Sequence, residues 1–442
     1  MTTPGAAPVP PAPPDRPADA IESAAATRDL RGEHTARERF IGPLRNPSFR
    51  WFLASTTGQM ASLNMQGLVR GYLTFELTNS FAALGTLFLI NSLPGMAFAL
   101  WGGVLADRIQ QRKRIVQVGQ LINALNATIV GLMLVAGVLR FEHLLIAAFL
   151  QGTVNSVMMP ARQAMLPGVV GLPQLTSAVA VNAASRDSIR LLAPAAGGFL
   201  IAALGAYWVY FLMAGTYLFA SATLTRVHTA HDTTTRGGSG RRASGGWRDI
   251  VEGIRYVRGD PTLRPLLIFN IAFAILAMPY VFMLPGYVAI VFEDGADRLG
   301  LLLSFIGAGA LGGALIVATL GPHHRGATLL VAVIIQGIAL IAFAATDQFW
   351  MAVPIAVAIG LSEALRMSLS NVLVQTYVRD EFRGRVMSAY MLQRSLAQFG
   401  AFFAGLLAAA IGVQLVLGGM AVALVVLAAA ILAFHQRLRA LA

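Results

Sequence analysis

The chain contains no cysteine in 442 residues. That excludes disulfides, thiolate metal sites and cysteine nucleophiles, and it leaves no trace of a redox compartment. Charge is scarce too: Asp, Glu, Lys and Arg together make up 12% of the residues, and Lys113 is the sole lysine. Of the seven histidines, His143, His323 and His324 fall at the ends of apolar runs, and no His/Asp/Glu spacing suits a metal ion. There is no glycine loop to cradle phosphate and no nucleophile triad. No metal, no cofactor, no ATP drive and no enzymatic activity are therefore expected.

What is present is apolar. With 56% hydrophobic residues and a mean hydropathy of +0.66, the sequence cannot be wrapped into a soluble globule with a polar surface. The chain is an integral membrane protein whose first partner is the lipid bilayer. The net charge of +12 does not point to nucleic acid, because the bases lie in short gaps between apolar spans instead of on one soluble face. Arginine in place of lysine, with abundant alanine, suggests a GC-rich bacterial genome; the location expected is the bacterial cytoplasmic (inner) membrane.

Crossing the hydrocarbon core by helix takes roughly 20 mostly apolar residues, since every backbone polar group must be paired where there is no water. About twelve segments meet that length: 48–75, 81–106, 114–138, 142–161, 174–204, 206–225, 264–292, 298–320, 326–345, 348–373, 385–411 and 414–434. The expected fold is all-α, with two pseudo-symmetric six-helix bundles at 45–225 and 264–434. Residues 1–44, rich in Pro, Ala, Thr and charge, read as a disordered tail and not as a signal peptide. Residues 435–442 form a second tail. The linker 226–263 opens with RGGSGRRASGG, a flexible composition. It continues into WRDIVEGIRYVRGDP, where Trp247, Ile250, Ile254 and Val257 recur at helical spacing, as in an amphipathic helix on the membrane surface.

Basic residues in short loops are retained on the cytoplasmic side. Arg108, Arg112, Lys113 and Arg114 follow the second span; Arg226, Arg236, Arg241, Arg242, Arg248, Arg255 and Arg258 follow the sixth; Arg379, Arg383 and Arg385 follow the tenth. The alternate gaps carry mainly acids, including Glu76, Glu142, Glu293, Asp294 and Asp347. Both termini are expected in the cytoplasm. The halves also resemble each other: Ser177, Ala178 and Asn182 fall after the fourth span where Ser388, Ala389 and Gln393 fall after the tenth. A parallel repeat of this kind allows one site between the halves to be exposed to each side in turn.

The gap after the second span reads GGVLADRIQQRKR, with Gly103, Leu105, Asp107, Arg108, Arg112 and Lys113 in order. This pattern resembles the signature loop G-x-L-x-D-R-x-G-R-[RK] of the major facilitator superfamily, with Gln110 where a glycine is usual. The blocks MPARQAMLPGVV, SAVAVNAAS, EGIRYVRGDP and DEFRGRVMS are similar to the branch that contains the enterobactin exporter and bacterial drug and macrolide exporters. Within LLAPAAGGFLI, Pro194, Gly197 and Gly198 resemble the antiporter signature G-P-x-x-G-G, with Ala193 in place of the first glycine. The same small residues also suit plain helix packing.

The resemblance implies a secondary transporter that rocks two halves about a central path. It implies Asp107 as one half of a cytoplasmic latch, set against the N-terminal end of the eleventh span and Arg383 and Arg385. Ordinary positive-inside charges are the other reading of the same residues. The first and fourth helices of each half would line the path with Gln59, Asn64, Gln66, Gln151, Asn155, Asn270, Tyr280, Met283 and Ser362. Each of these amides and hydroxyls is equally an interhelical packing group.

Charges inside spans cost several kcal/mol unless paired or facing water. Glu363 and Arg366 share one face of the tenth span at i, i+3. Glu363 is either a proton-carrying carboxylate or the partner of Arg366 in an ion pair that holds the helix, and pairing works against proton uptake. Arg186, Asp187 and Arg190 cluster in the fifth span, with Arg394 in the eleventh and Arg70 toward the outer end of the first. Asp187 fits a structural network with its flanking arginines, while Arg186, Arg190 and Arg394 also suit an anionic cargo.

The function expected is proton-coupled efflux of a hydrophobic or amphipathic small molecule such as a siderophore or drug, by a monomer. The alternatives are an importer on the same fold, a transport-inactive sensor or assembly protein, and a polytopic membrane enzyme, for which no clustered acid, base or nucleophile is found.

Overall fold

The structure, a computed structural model, describes residues 42–108, 111–228, 247–319, 324–379 and 382–441. The side chains of 98–108, Asp187, Arg383, Arg385 and Arg394 lie outside that description, as do most of the first tail and the RGGSGRRASGG run. Residues 42–44 of the expected tail belong instead to a 3-10 turn, Gly42–Arg45, that leads into the first helix.

The described chain is helical: α1 (Pro47–Thr78), α2 (Phe81–Arg108), α3 (Arg112–Val135), α4 (Phe141–Val170), α5 (Leu175–Leu204), α6 (Ala206–Thr225), α7 (Trp247–Gly259), α8 (Leu263–Leu276), α9 (Pro279–Ile290), α10 (Ala296–Thr319), α11 (Arg325–Ala344), α12 (Phe349–Tyr377), α13 (Arg383–Ile411), α14 (Val413–Phe434) and α15 (Gln436–Arg439). Among the described residues, nine stretches are long and apolar enough to cross a membrane, with α8 and α9 counted as one stretch, and α2 and α13 contribute shorter apolar runs. The twelfth, α1, is diluted by a polar stripe of Ser55, Thr56, Gln59, Ser62, Gln66 and Arg70, all buried.

Local chemistry sets the ends. Asn46 caps α1, its Oδ1 accepting from the Ser48 amide at 2.9 Å, with Pro47 in the first turn. The turn from α5 to α6 is made by Gly205 alone, and that from α13 to α14 by Gly412, at φ of 97° and 92°. Such values carry a penalty for any residue with a Cβ. The same one-residue reversal at the same place in each half is a structural imprint of the repeat. Lys113 closes another end: its Nζ donates to the Thr225 and Val227 carbonyls, both at 2.9 Å, and so satisfies the C-terminal end of α6.

Two departures from the expected spans matter for function. The seventh span is broken: α8 stops at Leu276, Ala277 and Met278 form a turn, and Pro279 starts α9. Proline lacks the N–H that a continuous helix would need there. The fourth helix, in contrast, runs on to Val170, nine residues beyond its expected end, and takes Arg162 into the buried interior. The tail is docked over 435–441, with Leu438 and Leu441 buried and the Gly326 amide donating to the Leu441 carbonyl at 3.0 Å. The linker carries α7, whose Tyr256 stacks on Phe382 with ring centres 4.3 Å apart.

Outward faces of the helices carry exposed Leu, Ile, Val, Phe and Trp, as a lipid-facing surface requires. Inside, one buried core runs through both halves, with a second cluster in the N-terminal half, and the halves meet along α5 with α10 and α2 with α13. Among the described residues, these seams are tightest at the end of the bundle away from the arginine-rich gaps. A Cβ on Gly300 would lie 2.7 Å from the Pro194 carbonyl oxygen, and one on Gly85 would lie 2.8 Å from the Phe402 Cα. The Ser304 hydroxyl donates to the Leu191 carbonyl at 3.0 Å across the same seam. Small residues here let helix backbones touch.

A Cβ built on Gly307 lies 3.3 Å from the Leu191 Cβ, close to disulfide geometry. In this cysteine-free chain the double variant Leu191→Cys, Gly307→Cys is expected to crosslink under mild oxidant. With a protease site inserted in the 229–246 linker, the two halves should then migrate together on a non-reducing gel and separate on reduction. Separate halves without reductant would contradict the seam.

Candidate functional site: a charged bridge between the halves

The break between α8 and α9 places Tyr280 in the first turn of α9, facing α12. Its phenol donates to Glu363 Oε2 at 3.0 Å. The other carboxylate oxygen, Oε1, accepts from Arg190 Nη2 of α5 at 3.0 Å. Glu363 and Arg190 are 173 positions apart and belong to opposite halves. The Glu363 side chain is 9% exposed and that of Arg190 is 48% exposed, so the bridge has one dry end and one end that reaches open space. That space is a cavity of about 210 Å³ between the halves, lined by Asn64 and Gly67 of α1, Arg190 and Pro194 of α5, Tyr280 of α9 and Glu363, with apolar walls from Phe88, Val281, Leu303 and Ile306. A mostly apolar cleft with a few convergent polar groups is the usual form of a small-molecule site.

The expected Glu363–Arg366 pairing is thereby corrected. Arg366 turns to its own half, where Nη1 donates to Asn270 Oδ1 at 3.4 Å and the guanidinium lies 3.9 Å from the Phe273 ring centre. Ser370 donates to the same Asn270 oxygen at 2.7 Å. The N-terminal half contains the counterpart, and the sequence reading missed it. Arg162 of α4 donates to Thr56 Oγ1 at 2.8 Å and Ser55 Oγ at 3.3 Å in α1, beside Phe52. In each half the fourth helix thus ties itself to the first through a buried arginine and an aromatic ring. Arg366 therefore belongs to the frame, and the carboxylate at i−3 is left to the opposite half.

The other candidates divide. Gln66, Arg70, Gln151 and Asn155 line a smaller cavity of about 110 Å³ in the N-terminal half, sharing Leu63, Gly67 and Phe88 with the first. Asn64 donates to the Met60 carbonyl of its own helix at 2.8 Å while lining the central space. Gln59 points at the Met158 and Met159 sulfurs, Ser362 bonds back to Ala358 at 2.8 Å, and Met283 is core; none of these lines either cavity. Arg186 is exposed. Arg112 donates to the Ala164 carbonyl at 3.2 Å, within its own half. The side chains of Gly103, Asp107, Arg108, Asp187, Arg383, Arg385 and Arg394 lie outside the described residues.

The sequence profile of the transmembrane secretion effectors matches residues 39–442. The chain belongs to that family of the major facilitator superfamily. It is 28% identical to the multidrug efflux pump Tap of Mycolicibacterium fortuitum over 74% of its own length and 80% of the pump's. It is 23% identical to macrolide efflux protein A of Streptococcus pyogenes, covering 82% and 90%, and 23% identical to the enterobactin exporter EntS of Salmonella typhi, covering 79% and 82%. Among solved structures it resembles an inward-facing bacterial homologue of the lysosomal transporter Spinster, with TM-score 0.69 at 15% identity over 90% of this chain and 98% of the other. It also resembles an inward-facing bacterial homologue of ferroportin, with TM-score 0.66 at 14% identity over 88% and 98%. The chain is a multi-pass membrane transporter and not an enzyme.

A double-mutant cycle on Glu363→Ala and Arg190→Ala checks the bridge. Because one partner is half exposed, a coupling of about 1 kcal/mol is expected in the thermal stability of the purified protein. Strict additivity of the two variants would contradict the contact.

Proposed function

We propose that this transporter exports a hydrophobic or amphipathic small molecule, such as a siderophore or drug, in exchange for protons, by alternating access. It would act as a monomer in the bacterial cytoplasmic membrane with both termini in the cytoplasm. The single observation that carries the reading is Glu363, an acid within the membrane that is held by the opposite half and beside the central cavity. The efflux relatives favour export over import.

The described seams are closed at the end away from the arginine-rich gaps, and the basic gaps mark the cytoplasmic side. This geometry supports a state that is shut to the outside and in which Glu363 is charged and bonded to Arg190. Cargo would enter from the cytoplasm while the carboxylate is in that form. After the halves rock and the bridge parts, a proton from outside would neutralise the unpaired Glu363, and its release to the cytoplasm would let the bridge to Arg190 re-form as the empty carrier returns. Binding a proton thus changes the one ionic contact between the halves seen among the described residues. Asp107 with Arg383 and Arg385 would supply the opposing closure on the cytoplasmic side in the other state.

Inverted vesicles with an imposed pH gradient, acid inside, test the proposal against a panel of siderophores, macrolides and dyes. Gradient-driven accumulation of at least one panel member is expected. Glu363→Gln should reduce it at least tenfold while substrate exchange without a gradient persists; Asp107→Ala should lower both modes at normal abundance. Retained proton-driven uptake in Glu363→Gln would remove the coupling role.

A further inference from the structure

Arg70 is 5% exposed in the middle of an apolar bundle. Its Nε and Nη2 are buried with no hydrogen-bond partner, and among the described residues no carboxylate is paired with it. Its electrostatic neighbours are the phenols of Tyr210 and Tyr217. A guanidinium does not give up its proton in a protein, so a full charge stands here with unused donors, at a cost of several kcal/mol. Arg162 and Arg366 show how this chain treats its structural arginines: each meets polar groups of the first helix of its half and an aromatic face. Those two also leave Nε unpartnered but bond through their Nη atoms, whereas Arg70 leaves both Nε and Nη2 without an acceptor and has the Tyr210 phenol as its polar contact.

Its surroundings are built for a guest. Arg70 lines the smaller cavity with Gln66, Gln151, Asn91 and Asn155. The two glutamines are held in place: Gln151 bonds to Gln66 Oε1, and the Tyr217 hydroxyl donates to the same oxygen at 3.2 Å. That cluster occupies acceptor oxygen of Gln66 with protein donors and leaves Arg70 Nε and Nη2 without an acceptor. The cavity shares Gly67 with the central one, and a Cβ at Gly67 would meet open space.

We propose that Arg70 forms a subsite for an oxyanion on the cargo, a carboxylate or phenolate. The apolar body of the cargo lies in the central cavity beside Phe88 and its anionic end enters past Gly67 to meet the guanidinium. Charge-assisted bonds from a planar fork suit such a group. The Glu363–Arg190 bridge is internally neutral, so Arg70 sets the charge preference of the joined cavities. This inference rests on the transporter reading of the central cavity. It is measured at equilibrium, so failure of proton-driven flux and failure of the subsite are separate results.

The test is calorimetric binding of 2-naphthoate and its neutral isostere 2-naphthamide to the purified full chain. Wild type should bind the carboxylate at least tenfold more tightly. In Arg70→Gln the ratio should fall to about one, and in Arg70→Lys, which keeps the charge but not the fork, it should fall between. Should Arg70→Gln fail to give a monodisperse protein, Gly67→Phe serves instead: its new side chain has room and obstructs the passage, so the preference for carboxylate should again disappear. A wild-type ratio near one, or a tenfold ratio that survives in Arg70→Gln or Gly67→Phe, would overturn the subsite.

Discussion

A charge placed in hydrocarbon must be answered by another group, and in this protein the answer to Glu363 comes from the opposite half of the molecule. That constraint organises much else. Arg366 cannot serve as the partner because it is committed to Asn270 and Phe273. Tyr280 can reach the carboxylate because the seventh span is broken just before it. The bridge is therefore supported from three elements, α5, α9 and α12, and it sits where relative motion of the halves has to act on it. Beyond it, toward the acidic gaps, the closure is made of backbone against backbone at Gly85, Gly198, Gly300 and Gly405. Packing of that kind holds when the surfaces are in register and is lost once they part. An ionic contact sensitive to protonation beside a steric seam is a physical basis for two alternative states.

The two halves share a frame and differ in their polar content. Arg162 and Arg366 tie the fourth helix to the first in each half, and Gly205 and Gly412 make the same reversal. The C-terminal half then adds the acid, and the N-terminal half adds Gln66, Gln151 and Arg70. Repeats supply the symmetry for rocking, whereas chemistry that distinguishes proton from cargo needs them to diverge. In the proposed exchange Glu363 and Arg70, in opposite halves around cavities that share Gly67, would divide those roles.

Much of the architecture was legible because the bilayer imposes a length: about 20 apolar residues for each crossing, with arginines collecting in alternate gaps. Pairings were not legible. Glu363 and Arg366 lie three residues apart and one turn predicts their contact, whereas the true partner lies 173 positions away on another helix, a relation no local pattern encodes. Arg162 stands one residue past the expected end of the fourth span at 161, so no length argument places it in the membrane, yet α4 continues through both prolines of MPARQAMLPGVV, as helices in lipid do when neighbours satisfy the freed carbonyls. The break in the seventh span had a sequence sign, Pro279, but its value as a device for presenting Tyr280 needed the third dimension. The polar stripe of α1 was read only in part, since serines and threonines bonded to their own backbone, as Thr56 and Ser62 are, carry little cost and give little signal.

The central claim is that protonation of Glu363 releases the tie between the halves. The most direct measurement is the pulsed-EPR distance distribution between spin labels at Lys113→Cys in one half and Tyr377→Cys in the other, taken between pH 5.5 and 8.5 in lipid nanodiscs. The account predicts that acid shifts the wild-type distribution toward shorter distances as the cytoplasmic side closes, and that Glu363→Gln shows the acid distribution at every pH. A Glu363→Gln protein that still responds to pH as the wild type does would contradict it.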